Sequence, residues 1–224
     1  MIQSLLFGFG YKMRSGKDEA VKEIIRRRSG NGPGWYDIRK YSFAQELKRE
    51  VTKNALASGG MKHMFSDGLR IDGAGFMQEN GNILALPDWV QYDPDAPLDD
   101  VDCPLGKQRS LLQFWGQEYR RSVNPTYWID KLSKRIEDEK PEIALVSDLR
   151  YLNEFAWVRE YGDCVRVDRP GLPQGTHSSE TELSTLPDSS WDGILTNDGT
   201  LEELQDAAVL IFDKLLDQIN DGTL

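Results

Sequence analysis

Cysteine is scarce: the 224 residues contain only Cys103 and Cys164, too few for a disulfide framework and without the paired spacing of a zinc site. Histidine is equally rare, with His63 and His177 far apart in the chain, which argues against a histidine-built metal centre. No stretch is long and apolar enough to span a bilayer, so no membrane partner is expected. The apolar start through Phe9 runs into glycines and charges with no basic flank, and predicts no secretory signal. Cations are in deficit: 27 Lys and Arg against 37 Asp and Glu leave a formal charge of -10, which would repel a phosphate backbone, so no stable nucleic-acid complex is expected. What is present is ordinary for a folded cytoplasmic protein, 39% hydrophobic and 29% charged, in a chain long enough to build one domain over 1–224.

The order of patterns along the chain predicts alternating strands and helices. Ser4 to Gly10 is a short apolar run ended by glycine, and Ala20, Val21, Ile24 and Ile25 recur at helical spacing after it, reading as strand, loop, helix. Tyr36 to Phe43 reads as a strand and Ala44 to Ala57 as a helix. From Ser58 to Gly106 the texture turns to glycine, proline and acid, including the acidic stretch 91–102; this predicts an insertion rather than a second domain. Helical spacing resumes over Arg109 to Arg121, and Pro125 opens a helix reaching about Glu139. Glu142 to Asp148 is a continuous apolar run ending in a carboxylate, as a strand buried on both faces reads when its tip meets a site. Asn153 to Tyr161 (helix), Cys164 to Val167 (strand), Gly193 to Asn197 (strand) and Leu201 to Leu216 (helix) follow. Such alternation predicts a parallel sheet whose strand tips near Gly10, Phe43, Asp148 and Asp168 share one cleft.

The sharpest local signal is Gly8-Phe9-Gly10-Tyr11-Lys12-Met13-Arg14-Ser15-Gly16-Lys17-Asp18, placed between strand and helix as a phosphate-binding loop must be. Consecutive backbone N–H groups in such a loop form an anion nest, the next helix adds its positive end, and Lys17 supplies a point charge. The loop departs from G-x-x-x-x-G-K-[ST] twice: Tyr11 stands in the first-glycine slot, and Asp18 replaces the hydroxyl beside magnesium. A carboxylate can hold Mg²⁺ directly or through water. Asp148 has a Walker-B-type position with Arg150 just beyond it; the alternative is a helix cap with a surface arginine. Arg109, Arg120 and Arg121 flank Gln113, Trp115 and Gln117, a set that suits a phosphate monoester and a base, or a core tryptophan among surface ion pairs. The stretch 169–190, marked by Arg169-Pro170-Gly171 and His177-Ser178-Ser179-Glu180, is expected to form a lid.

These residues carry a family resemblance. Arg14 to Asp18, Phe43-Ala44-Gln45-Glu46-Leu47-Lys48, Leu111 to Glu118 with Arg120 and Arg121, Ser147 to Glu154, Arg169 to Gly171, His177 to Glu180 and Asn197 to Leu204 follow in the order seen in the deoxynucleoside monophosphate kinases of tailed bacteriophages, within the P-loop nucleotide-kinase superfamily, which the chain resembles over nearly its whole length. Gln45 stands where that family more often has an acid, and Glu19 where a threonine is common. The resemblance implies a three-layer α/β P-loop kinase fold, a five-stranded parallel sheet in the order 2-3-1-4-5 flanked by helices, and a monophosphate-binding region in 58–106. It further implies transfer of the ATP γ-phosphoryl group, with Mg²⁺, to a deoxynucleoside 5′-monophosphate in the host cytoplasm during phage infection.

By that resemblance, Lys17, Arg14, Asp148 and Arg150 carry catalysis, and Gly10, Lys12, Arg14, Ser15, Gly16, Lys17 and Asp18 hold the ATP phosphates. Asp18 and Asp148 face the metal. Lys48, Arg109, Gln113, Trp115, Arg120, Arg121, Arg150 and Glu154 hold the monophosphate, and Arg169, His177 and Glu180 belong to the lid. The expected partners are ATP and a deoxynucleoside monophosphate, and a homodimer is open. Three rival classes stand beside this: a kinase for another small acceptor such as dephospho-coenzyme A, a kinase for a modified base within DNA, and a binding protein with a relic loop.

Overall fold

Leu5–Gly10 (β1) has apolar side chains on both of its faces, and its Leu6, Phe7 and Phe9 have no exposed surface; a strand of this kind belongs in the middle of a parallel sheet. The structure, a computed structural model of the chain, describes residues 2–30, 35–57, 75–77, 83–90, 109–172 and 181–221. In it β1 is the third of five parallel strands. Ile38–Tyr41 (β2) forms one edge, and Gly75–Met77 (β3) and Ile83–Ala85 (β4) form a separate antiparallel pair. Ile143–Leu149 (β5), Gly162–Asp168 (β6) and Gly193–Thr196 (β7) complete the main sheet in the order β2-β5-β1-β6-β7. Counted in chain order, its five strands run 2-3-1-4-5, the order the resemblance implies. Leu5 pairs with Ile143 and Gly8 with Val146, before a bulge shifts Gly10 onto Leu149.

The helices are Lys17–Arg28 (α1), Phe43–Ala57 (α2), Arg109–Gln113 (α3), Tyr127–Glu139 (α4), Leu152–Arg159 (α5) and Leu201–Asn220 (α6). Side chains alternate across a strand, so β1 sends Phe7 and Phe9 to one face. There they join Leu145, Val165, Val167 and Leu195, under Ala20, Val21 and Ile24 of α1 and Leu204, Ala208, Val209 and Phe212 of α6. Phe7 meets Phe212 edge-on at 5.1 Å, and burying each such large side chain contributes roughly 1.5–3 kcal/mol. On the other face Cys164 Sγ lies 3.8 Å from Phe155 O of α5. Two helical layers therefore enclose the sheet, giving the three-layer α/β fold.

α6 opens on a capping box in which Thr200 Oγ1 accepts from Glu203 N and Glu203 Oε2 accepts from Thr200 N. It runs one turn beyond the expected Leu216, because Ile219 continues its apolar face onto the core. A second difference lies at Arg109–Arg121: only Arg109–Gln113 is α-helical, and Phe114–Arg121 winds as a π-helix. The chain divides into two compact units, Met1–Phe43 with Ile129–Leu224, which holds the parallel sheet, and Ala44–Trp128. The region 58–106 falls in the second unit; apart from β3, β4 and residues 86–90 it lies outside the described residues, as does the acidic stretch 91–102. Among the described residues no helix is long and apolar enough to cross a membrane.

The β1–β6 contact leaves no room at Gly162, where a Cβ would sit 1.9 Å from Leu6 O. Gly162→Ala should cost more than about 2 kcal/mol in urea unfolding, because backbone must move. Gly171 has φ +80° and nothing within 4 Å of a built Cβ, so Gly171→Ala should cost only about 1 kcal/mol. Equal costs would contradict this strand pairing.

Candidate functional site

Between the end of β1 and the start of α1 the backbone turns three times through the left-handed region, at Tyr11 (φ 101°), Arg14 (φ 63°) and Gly16 (φ 105°). Gly16 is needed twice over, since a Cβ there would also lie 2.8 Å from Asn197 Nδ2 and 2.8 Å from Leu204 Cδ2. The close approach has a purpose: Asn197, just past β7, donates Nδ2 to Ser15 O at 2.8 Å and its backbone N–H to Asp168 O at 2.7 Å. This clamps the loop to two other strand tips. Tyr11 holds a conformation that suits glycine at a cost of order 1–3 kcal/mol. Its ring is braced edge-on by Trp191 at 6.5 Å and by the Arg166 and Lys12 cations at 5.1 and 5.2 Å.

Lys17 opens α1 but folds back into the loop, 7% exposed. Its Nζ donates to Lys12 O, to Ser15 Oγ at 3.3 Å and to Tyr11 O at 3.4 Å. Burial pushes its pKa down to about 8, aided by the Arg150 charge and opposed by Asp18 and Asp148. Crowding beside the loop would raise Asp18, but hydrogen bonding to Lys40 and Ser147 and the charge of Lys17 hold its carboxyl below the usual range; Lys40 Nζ lies 2.6 Å from its Oδ1. Asp148, at the tip of β5, accepts from Ser42 Oγ and Phe43 N, each at 2.9 Å. It thus caps the start of α2, not the helix that follows it in sequence, and keeps a negative charge where a helix N-terminus favours one.

Arg150 lies just beyond β5, and among the described residues its guanidinium has no carboxylate partner. Glu154 is buried, and its Oε2 accepts from Arg150 N at 2.9 Å and Tyr151 N at 3.2 Å. Its carboxylate is thereby committed to holding the turn that presents Arg150. Arg14 is exposed on the loop, and Arg169 is exposed directly after β6. The rest of 169–190 contains short 3-10 turns at Glu182–Thr185 and Asp188–Ser190, while His177 and Glu180 lie outside the described residues.

In the second unit the organising group is Glu50 of α2. Its Oε1 accepts from Trp115 Nε1 at 2.9 Å and Arg120 Nε at 2.6 Å, and its Oε2 from Tyr127 OH at 2.5 Å. Burial would raise Glu50, yet these donors and the Arg120 charge hold it below the usual carboxylate range. The ring of Trp115 is fully buried, so it is a wall of the unit and offers no open face to a base. Arg109 and Gln113 are exposed on α3, and Lys48 and Arg121 are half-buried.

The sequence reading did not include Lys40, Ser42, Glu50 or Asn197 among the site residues. Asn197 carried a visible signal in its Asn-Asp-Gly turn; the other three had none, because each acts through a partner distant in sequence.

No family model matches the chain. One stretch of 61 residues, 26% of this chain, is 39% identical to a protein of Acanthamoeba polyphaga mimivirus that carries the provisional name deoxynucleotide monophosphate kinase; the match spans 31% of that relative's length. Among solved structures, a dephospho-CoA kinase from Campylobacter jejuni aligns over 95% of this chain and 97% of its own, at 11% identity and a TM-score of 0.46. A sugar kinase from Janibacter sp. HTCC2649 aligns over 94% and 95%, at 13% identity and a TM-score of 0.41.

The Lys17 environment sets a pH dependence. Its folded-state pKa lies below the ordinary 10.5, so across the window from about 8 upward the unfolded chain keeps a proton the folded chain has lost, and stability rises with pH. The melting temperature of the wild type should therefore climb relative to that of Lys17→Met between pH 8 and 10. Over the same window, affinity for inorganic tripolyphosphate should fall in the wild type and stay flat in the variant. A pH-independent difference would show that the ammonium is not buried as described.

Proposed function

We propose that the chain is a nucleotide kinase that transfers the γ-phosphoryl group of ATP to a deoxynucleoside 5′-monophosphate, releasing the diphosphate and ADP. The observation that carries this reading is the buried Lys17 ammonium, held inside a strand-to-helix loop with two carboxylates acting on it. A cation held on a strand-to-helix loop at a helix N-terminus is placed to meet an anionic ligand. The monophosphate as acceptor rests on the ordered motif series and on the name of the mimivirus relative.

In this reading the N–H groups from Lys12 to Asp18 and the N-terminal end of α1 cradle the triphosphate, with Arg14 at the mouth of the loop. Lys17 and Arg150 stabilise charge that spreads over the transferred group as the acceptor oxygen attacks in line. Arg109 and Arg120 hold the acceptor phosphate, with Lys48, Gln113 and Arg121 around the nucleoside, and Arg169 starts the segment that covers the phosphates. Trp115 and Glu154 serve from beneath, one as a wall and one by fixing the Arg150 turn. The donor set suits Mg²⁺: Asp18 and Asp148 offer hard oxygens, and this ion needs only one or two carboxylates beside phosphates and water. When bound it would neutralise charge on the β- and γ-phosphates.

The test is ATP consumption by the purified chain with Mg²⁺ and each of the four deoxynucleoside monophosphates, with dephospho-coenzyme A and modified-pyrimidine DNA as competing acceptors. Turnover is expected with at least one monophosphate. Lys17→Ala should lower it at least about a hundredfold with the fold intact, the effect of losing one preorganised charge of some 3 kcal/mol. Turnover with a competing acceptor alone would overturn the substrate assignment, and none with any acceptor would overturn the kinase.

A further inference from the structure

The π-helix Phe114–Arg121 places residues five apart on one face. Phe114 stacks on Tyr119, at 6.4 Å with planes 19° apart, and Arg120 lies over Trp115 at 5.8 Å. In an α-helix five residues make about 1.4 turns, so neither pair would meet. Wound this way, Trp115 and Arg120 both donate to one oxygen of Glu50. Gly116 makes room for the segment beside α2, since a Cβ there would lie 3.0 Å from Leu47 Cδ2.

The result is an arginine fixed from three sides. Its Nε is bound by Glu50, and its guanidinium lies over the rings of Tyr119 at 4.6 Å and Tyr127 at 4.8 Å. Tyr127 is in turn bound to the other Glu50 oxygen. Among the described residues, Nη1 and Nη2 of Arg120 have no partner. A guanidinium held by Nε and by aromatic faces keeps its terminal fork for a bidentate anion such as a phosphate monoester.

We propose that Glu50 is the positioning residue of the acceptor site, and that the π-helix sets the register which lets Glu50 aim Arg120 at the acceptor phosphate. This rests on the kinase reading above and adds to it a residue that touches no substrate. Glu50 and the three donors bound to it, Trp115, Arg120 and Tyr127, all belong to the unit that does not hold the Lys17 loop, so the effect expected of Glu50 falls on the monophosphate and not on ATP.

The experiment measures equilibrium binding of ATP and of the best deoxynucleoside monophosphate, with melting temperature and kinetics, for the wild type, Glu50→Gln, Arg120→Ala and the double variant. Glu50→Gln should weaken monophosphate binding at least about tenfold while ATP affinity changes less than about twofold. Millimolar methylguanidinium should restore monophosphate kinetics at least about tenfold in Arg120→Ala, by entering the aromatic cage, and should restore nothing once Glu50 is also Gln. If Glu50→Gln matches the wild type, or loses ATP, monophosphate and melting temperature in parallel, the positioning role is overturned and the kinase stands. A wild type that binds ATP but no monophosphate overturns the acceptor assignment and this role with it.

Discussion

A lysine ammonium held inside a loop is the constraint around which the first unit is arranged. Lys17 can be buried because loop oxygens accept its hydrogen bonds and two carboxylates act on it; the oxygens and Asp18 come from its own loop and Asp148 from the tip of β5. The oxygens require the left-handed turns at Tyr11, Arg14 and Gly16. Those turns are strained for two of the three residues, and strain of this kind persists only where the surroundings over-determine it. Here the surroundings are Asn197 on Ser15 O and the Trp191–Tyr11–Arg166 stack. Each of these reaches the loop from β6, β7 or the turns after them, so the order of the sheet is what brings the clamp and the loop together.

The replacement of a hydroxyl by Asp18 adds a negative charge next to this ammonium, and the structure shows how it is balanced. Lys40, on the exposed side of β2, lies on Asp18 at 2.6 Å, so the pair carries no more net charge than the hydroxyl would. Asp148 is balanced differently. Its two oxygens each accept a hydrogen bond, from Ser42 and from Phe43 at the start of α2, where the helix end supplies partial positive charge. A carboxylate at the tip of β5 thus both opposes the depression of the Lys17 pKa and fixes where α2 begins.

Much of this was legible in the sequence for physical reasons. A strand buried on both faces must be continuously apolar, so Leu5–Gly10 and Ile143–Leu149 stand out, and a loop of glycines and cations between strand and helix marks where the turn from β1 to α1 falls. The order of the sheet has no local signature and came from the resemblance alone. The π-helix was not legible, because Leu112, Trp115 and Tyr119 fit α-helical spacing equally well, and the Glu50 contact that its register permits lies more than sixty residues earlier. The core position of Trp115, one of the two readings its sequence context left open, is the one found, and the same distance hid only the partner of its indole N–H, a carboxylate that no motif marks. Lys40 looked like any exposed strand residue, since its partner Asp18 is set by the pairing of β2 beside β5.

In an acidic chain the distribution of ion pairs decides where positive charge is left over. Away from the loop, arginines are matched with acids: Arg26 and Arg27 with Glu23, Arg28 with Asp213, Arg39 with Asp37, Arg135 with Glu139, and Arg159 with Asp192. Arg14, Arg150 and Arg169 of the first unit, and Arg109 of the second, have no carboxylate partner among the described residues. Three of these four sit on the phosphate loop or just past a strand tip. Among the described residues most of the unmatched arginine charge therefore lies at the strand tips of the first unit, in a chain whose net charge is -10. A field of that form draws in a small polyanion that fits within the cationic end of the sheet. It repels a long one, whose flanking phosphates would lie against the acidic surface. On the kinase reading proposed above, this arrangement of ion pairs favours a free nucleotide over a nucleic acid before any contact with a base.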